Sequence, residues 1–185
     1  MIRESWLLEA IEQLRTDFDA VESEIPKKIH VTCGWPSTGG RPGKKQTIGE
    51  CWPEDCSEDG YVEIFINPMI NDSIKVLGVL VHELIHACGH NGHRGQFRVL
   101  AKALGLEGKM TATEVGEDLA KRLEDIIAPL GEYPHSKLTP LAKKTQGTRM
   151  IKLLCPTCGW LARTSRKWID LGLPTCACGT KMEEA

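Results

Sequence analysis

Apolar positions recur at three- and four-residue steps in several stretches of the chain and fall into short runs between them. Trp6, Leu7, Ile11, Leu14 and Phe18 line one side of a helix expected over residues 4–20, with Ser5 as its N-cap. Lys28–Cys33, Gln46–Trp52 and Tyr61–Asn67 read as strands. The Gly/Pro/Ser-rich segment Trp35–Gly43 and the acidic loop Glu54–Asp59 separate them, and together they predict a small antiparallel sheet. Ile74, Leu77, Val81, Leu84, Ile85 and Cys88 then repeat with the period of an amphipathic helix, entered through Asn67-Pro68. Further helices are expected from about Gly95 to Leu104 and from about Thr113 to Ile127. Pro129, Gly131, Pro134, Pro140 and Gly147 mark residues 128–149 as a linker. The fold class is thus α+β, with a main domain over residues 1–127, this linker, and a separate small unit over 150–185.

The amphipathic helix carries His82-Glu83-Leu84-Ile85-His86, an H-E-x-x-H pattern. His82 and His86 are one turn apart on a single face, so both imidazoles can reach one metal ion. Glu83 is rotated about a hundred degrees from His82. A carboxylate there suits the general base of a zinc hydrolase rather than a ligand.

Such a zinc site needs a third protein ligand. His90 and His93 are the near candidates, with Glu114 a distant acidic one. On an unbroken helix His90 would complete a row about 12 Å long, too extended to converge on one ion. Gly89 and Gly92 allow the chain to turn and return, which favours His93. The metzincin signature H-E-x-x-H-x-x-G-x-x-H fits as far as Gly89 but requires histidine where this chain has Gly92.

The short sheet, the His82–His86 helix and the following Gly92-His93-Arg94-Gly95-Gln96-Phe97 resemble the SprT-like family of zinc metallopeptidases, in its phage and bacterial form. So does Leu104-Gly105-Leu106-Glu107-Gly108-Lys109-Met110-Thr111. The resemblance covers residues 1–127. It implies a zincin-like fold, His93 as third zinc ligand, Phe97 as a packing residue, and a zinc ribbon as companion. The family form has glycine directly after the histidine; here Arg94 intervenes. Glu83 would take a proton from the attacking water and pass it to the leaving amine. Tyr133 and His135 are conceivable oxyanion donors, but their loop position suggests a solvated role.

Eight cysteines change the picture at the C-terminus. Cys155-Pro156-Thr157-Cys158-Gly159 and Cys176-Ala177-Cys178-Gly179 form two ligand pairs, each followed by the glycine that a tight knuckle needs. They predict a structural zinc held by four thiolates, with Trp160–Arg163 and Lys167–Ile169 as ribbon strands. Cys88 reads as core, and Cys33, Cys51 and Cys56 show no comparable spacing.

The net charge of −2 hides an asymmetry. Residues 1–126 hold 14 Lys and Arg against 21 Asp and Glu, and residues 127–185 hold 9 against 4. With Arg149, Lys152, Arg163, Arg166 and Lys167 beside Trp160 and Trp168, the ribbon suits contact with nucleic acid, single-stranded DNA above all. In so small a unit one or both tryptophans are expected in its core. Without an apolar span or signal-peptide segment, a cytoplasmic location is expected.

The expected function is zinc-dependent hydrolysis of peptide bonds in nucleic-acid-associated proteins, using one catalytic and one structural Zn2+. The alternative is a non-catalytic zinc-containing nucleic-acid-binding adaptor.

Overall fold

The 3.6-residue periodicity produces the helices, but the strands pair in an order that local pattern does not reveal. The computed structural model describes residues 1–38, 46–139 and 150–185, and the chain divides into two units, Met1–Leu141 and Ala142–Ala185. Part of the segment Trp35–Gly43, as well as Pro140, Gly147 and Arg149, lies outside the described residues.

In the first unit, helix α1 (Arg3–Asp19) buries Trp6, Leu7, Ala10, Ile11, Leu14 and Phe18. Its N-cap is Ile2, without a side-chain cap, rather than Ser5. Strands β1 (Ile29–Cys33), β2 (Gly49–Trp52) and β3 (Val62–Ile66) form one sheet in the order β1-β3-β2. The sheet is mixed rather than antiparallel: β1 runs parallel to β3, and only β2 opposes it. Val62, Ile64 and Ile66 of central β3 register with Ile29, Val31 and Cys33 on one face, which meets the helices. On the other face His30 lies 2.8 Å from the Glu63 carboxylate.

Helix α2 (Ser73–Ala87) starts at Asp72, whose carboxylate accepts from the Lys75 amide at 2.8 Å. Ten of its residues are buried, placing it in the centre of the unit. Helix α3 (Gln96–Ala103) follows. Next comes a two-stranded hairpin, β4 (Leu106–Lys109) and β5 (Ala112–Val115), and then helix α4 (Glu117–Leu130). The expected helix from Thr113 therefore begins four residues late, and its first turn is a strand. The alternation Leu106, Gly108 against Glu107, Lys109, closed by Met110-Thr111, was the available hairpin signal.

Helix α4 continues through Pro129, so the first residues expected as linker are helical, and beyond the helix Tyr133 packs against the core of this unit. Tyr133, only 4% exposed, packs at a tilt against Trp6 with ring centroids 5.1 Å apart. The Trp6 indole donates to the Gly131 carbonyl, and the Tyr133 amide to the Ser73 hydroxyl.

In the second unit, β6 (Met150–Leu154) pairs with both β7 (Leu161–Ser165) and β8 (Glu183–Glu184). Residues expected as a second ribbon strand form a short helix, α5 (Arg166–Ile169), instead. The buried core is Leu153, Cys155, Ile169, Cys176 and Met182.

Candidate metal centres

His82 and His86 project from one face of α2, one turn apart. Gly89, at φ +92°, ends the helix, and the chain turns back so that His93 meets them. Nε2 of His93 lies 3.2 Å from Nε2 of His82 and 3.3 Å from Nε2 of His86. Nitrogens tetrahedrally placed about 2.05 Å from a zinc ion stand roughly 3.3 Å apart, so the spacing fits such an ion. The tautomers fit as well. Nδ1 of His86 donates to the His90 carbonyl at 2.6 Å, which leaves its Nε2 as a lone pair facing the other imidazoles. Burial lowers the proton affinity of all three rings, and of His82 to about 3, with His86 and His93 adding to the effect. Three neutral nitrogens facing one another are an arrangement that a cation resolves.

The triad is held from behind. The Phe97 ring lies 4.9, 4.7 and 5.0 Å from the rings of His82, His86 and His93. Thr113 on β5 places Oγ1 2.9 Å from Nδ1 of His82. That strand can approach because Gly78 has no side chain; a Cβ there would overlap Val115. Gly78 and His82 are one helical turn apart, while Val115 and Thr113 are two residues apart on one strand face. The two repeats nearly match, at about 6 and 6.6 Å, so one docking event sets both contacts.

Glu83 is 5% exposed and shares a cleft of about 740 Å³ with the three histidines. Its carboxylate lies against Gly49 of β2, where a Cβ would overlap Oε1 and come within 2.5 Å of Val79. Burial, reinforced by the charge of Glu50, pushes the Glu83 carboxyl up to about 8. Partial burial opposes ionisation of Glu50 too, but the Ser37 hydroxyl and amide, at 2.5 and 2.7 Å, hold it below the ordinary carboxylate value. Gly49, Glu50 and Thr113 carried no sequence signal, because each acts through a residue distant in the chain.

The other candidates take different places. His90 serves through its backbone carbonyl. Glu114 is exposed on the strand face opposite Thr113, paired with Glu107. Tyr133 is buried rather than solvated, and His135 bonds the Pro68 carbonyl at 2.8 Å; neither lines the cleft. Cys51 lines it, its thiol pushed up to about 12 by burial and then by Glu83 and Cys88. Cys88 packs against the core.

In the second unit, Sγ of Cys155 lies 3.5 Å from that of Cys178, and Sγ of Cys158 lies 3.5 Å from that of Cys176. Thiolates about 2.3 Å from a tetrahedral zinc stand roughly 3.8 Å apart, close to this spacing. Glycines in the left-handed region, Gly159 and Gly179, close the two knuckles. Hydrogen bonding with Thr180 and with the neighbouring cysteines holds the Cys178 thiol below its ordinary value. None of the eight cysteines is in a disulfide. These four cysteines and the His82–His86–His93 triad are the groups suited to hold a metal ion among the described residues.

Both expected core tryptophans are instead exposed: Trp160 by 57% and Trp168 by 58%. The Lys167 ammonium lies 5.1 Å over the Trp168 ring, and Lys152 and Arg163 face each other across β6 and β7.

No family model matches the chain, and neither a curated protein nor a solved structure does. Among the described residues, no helix is long and apolar enough to cross a membrane.

Proposed function

We propose that this chain is a zinc-dependent metallopeptidase of SprT-like type, with His82, His86 and His93 holding the catalytic ion. The observation that carries the reading is three mutually facing Nε2 atoms with the buried Glu83 carboxylate beside them in one cleft. A purely structural metal site has no use for that carboxylate, and burying it costs stability. Bound there, zinc supplies a Lewis acid that acidifies a water and polarises a carbonyl. Glu83 accepts the proton of the attacking water and returns it to the leaving amine. Beside a cation held by the triad, Glu83 would return towards its ionised, basic form. A peptide suits the cleft because Ile48–Cys51 line it, and β2 is an edge strand among the described residues. An extended chain can add to such an edge through backbone hydrogen bonds.

The test compares wild type with Glu83→Gln, both zinc-loaded, on a basic DNA-binding protein and on themselves, with and without single-stranded DNA. Cleavage by wild type that is lost in the folded variant is expected. Equal behaviour of the two proteins sinks the peptidase reading.

The second unit favours nucleic-acid docking as its role, because Trp160, Trp168, Lys152 and Arg163 offer stacking faces beside cations. The same surface supports the adaptor alternative, in which DNA is bound and nothing is cleaved. Stimulation of cleavage by single-stranded DNA would join the two units in one function.

A further inference from the structure

A second cavity, of about 1190 Å³, meets the metal cleft at His93, which lines both. It is larger than the roughly 300–1,000 Å³ typical of small-molecule sites and suits a length of chain. One wall is cationic. Arg94 follows His93 directly, and Arg98 and Lys102, both exposed, lie on the flank of α3 beside its buried face of Phe97, Leu100 and Ala101. Among the described residues, no carboxylate lies within ion-pair distance of these three cations. On the acidic wall, Glu117 and Asp118 are engaged by Lys121 at 2.9 and 3.7 Å, while Glu107 has no cation within ion-pair distance among the described residues.

We propose that this cavity is a specificity subsite for acidic side chains of the substrate, read by Arg98 and Lys102 with Arg94 next to the metal ligand. The proposal rests on the peptidase reading. Arg98 and Lys102 are one helical turn apart, about 6 Å along the axis. In an extended peptide, side chains two residues apart point the same way and are separated by about 6.6 Å. The matching motif is therefore acidic-x-acidic. A nucleic-acid backbone fits less well, since its continuous charge would also face Glu107, Glu117 and Asp118. A peptide turns only alternate side chains to the cationic wall.

The experiment uses the full-length zinc-loaded protein and two decapeptide pools of otherwise random sequence, one with a fixed Asp-x-Asp and one with Asn-x-Asn. Cleavage is read by mass spectrometry. In parallel, binding of each pool, and of a single-stranded oligonucleotide, is read by fluorescence anisotropy in the Glu83→Gln background. Wild type is expected to favour the acidic pool about tenfold, as two partly exposed ion pairs allow, with less preference at high salt. The acidic-to-neutral ratio should fall towards one in Arg98→Gln/Lys102→Gln. Selective acidic-pool binding that depends on these residues, without cleavage of either pool, keeps the subsite and removes the peptidase reading. Equal treatment of the pools by wild type, or an unchanged ratio in the variant, overturns the proposal. So does loss of oligonucleotide binding alone, which would assign the row to nucleic acid.

Discussion

The hydroxyl oxygen of Thr113 lies 2.9 Å from Nδ1 of His82, joining the β4–β5 hairpin to the helix that carries His82 and His86. A partner at Nδ1 sets the ring orientation and keeps the Nε2 lone pair aimed at the ion. Thr113→Val keeps the shape and removes the partner. It should weaken zinc binding at the triad about 10- to 100-fold, read by competition with a chromogenic chelator, while Thr113→Ser retains it. If the valine variant competes as well as wild type, the contact does not orient the ligand.

Gly49 acts on Glu83 rather than on the metal. Its missing Cβ is what allows the carboxylate and Val79 to pack under β2. Gly49→Ala should displace Glu83 and lower kcat about a hundredfold, the scale expected from a 1 Å misplacement. Zinc affinity should stay near that of wild type. A variant with normal kcat would show that the cleft relaxes without moving the base.

The buried Glu83 carboxyl also makes the metal-free protein pH-sensitive. Folded, it keeps its proton up to about 8; unfolded, it loses it near the ordinary value of 4.5. Between those values the folded state binds more protons, so stability falls as pH rises through that window. Metal-free Glu83→Gln should melt above metal-free wild type at pH 8, and the two should converge near pH 4.5. Parallel melting curves across that range would show that Glu83 is not desolvated in solution.

The second unit has too little apolar core to stand without its cluster. Among the described residues of this unit only Leu153, Cys155, Ile169, Cys176 and Met182 are buried, and two of them belong to the cysteine cluster. Chelation, or Cys176→Ser, should expose residues 150–185 to limited proteolysis while residues 1–139 stay resistant. Structural zinc contributes about 10–16 kcal/mol in comparable small domains, far more than this core can replace. Equal protection with and without metal would contradict that dependence.

Much of the first unit is legible along the chain because helix periodicity and H-E-x-x-H spacing are local. His82, Glu83 and His86 owe their relative placement to 3.6 residues per turn, whatever surrounds them. The two cysteine knuckles are likewise short-range geometry with glycine at the turn. Trp160 and Trp168 were harder, since hydrophobic type predicts burial only where the fold offers volume. The unit's small core is already filled by Leu153, Ile169 and Met182.

By itself, the sequence determined the helix that presents His82 and His86 on one face, the carboxylate of Glu83 beside the first of them, and the two cysteine knuckles, all through spacing of a few residues. Tertiary structure decided that His93 rather than His90 meets the pair, because this depends on the path of the chain after Gly89. It also decided that β1 lies parallel to β3, that Gly49 makes room for Glu83, and that Thr113 sits on a strand reaching His82. Those relationships depend on which distant segments dock, and docking is governed by volume and close approach, which no local period encodes.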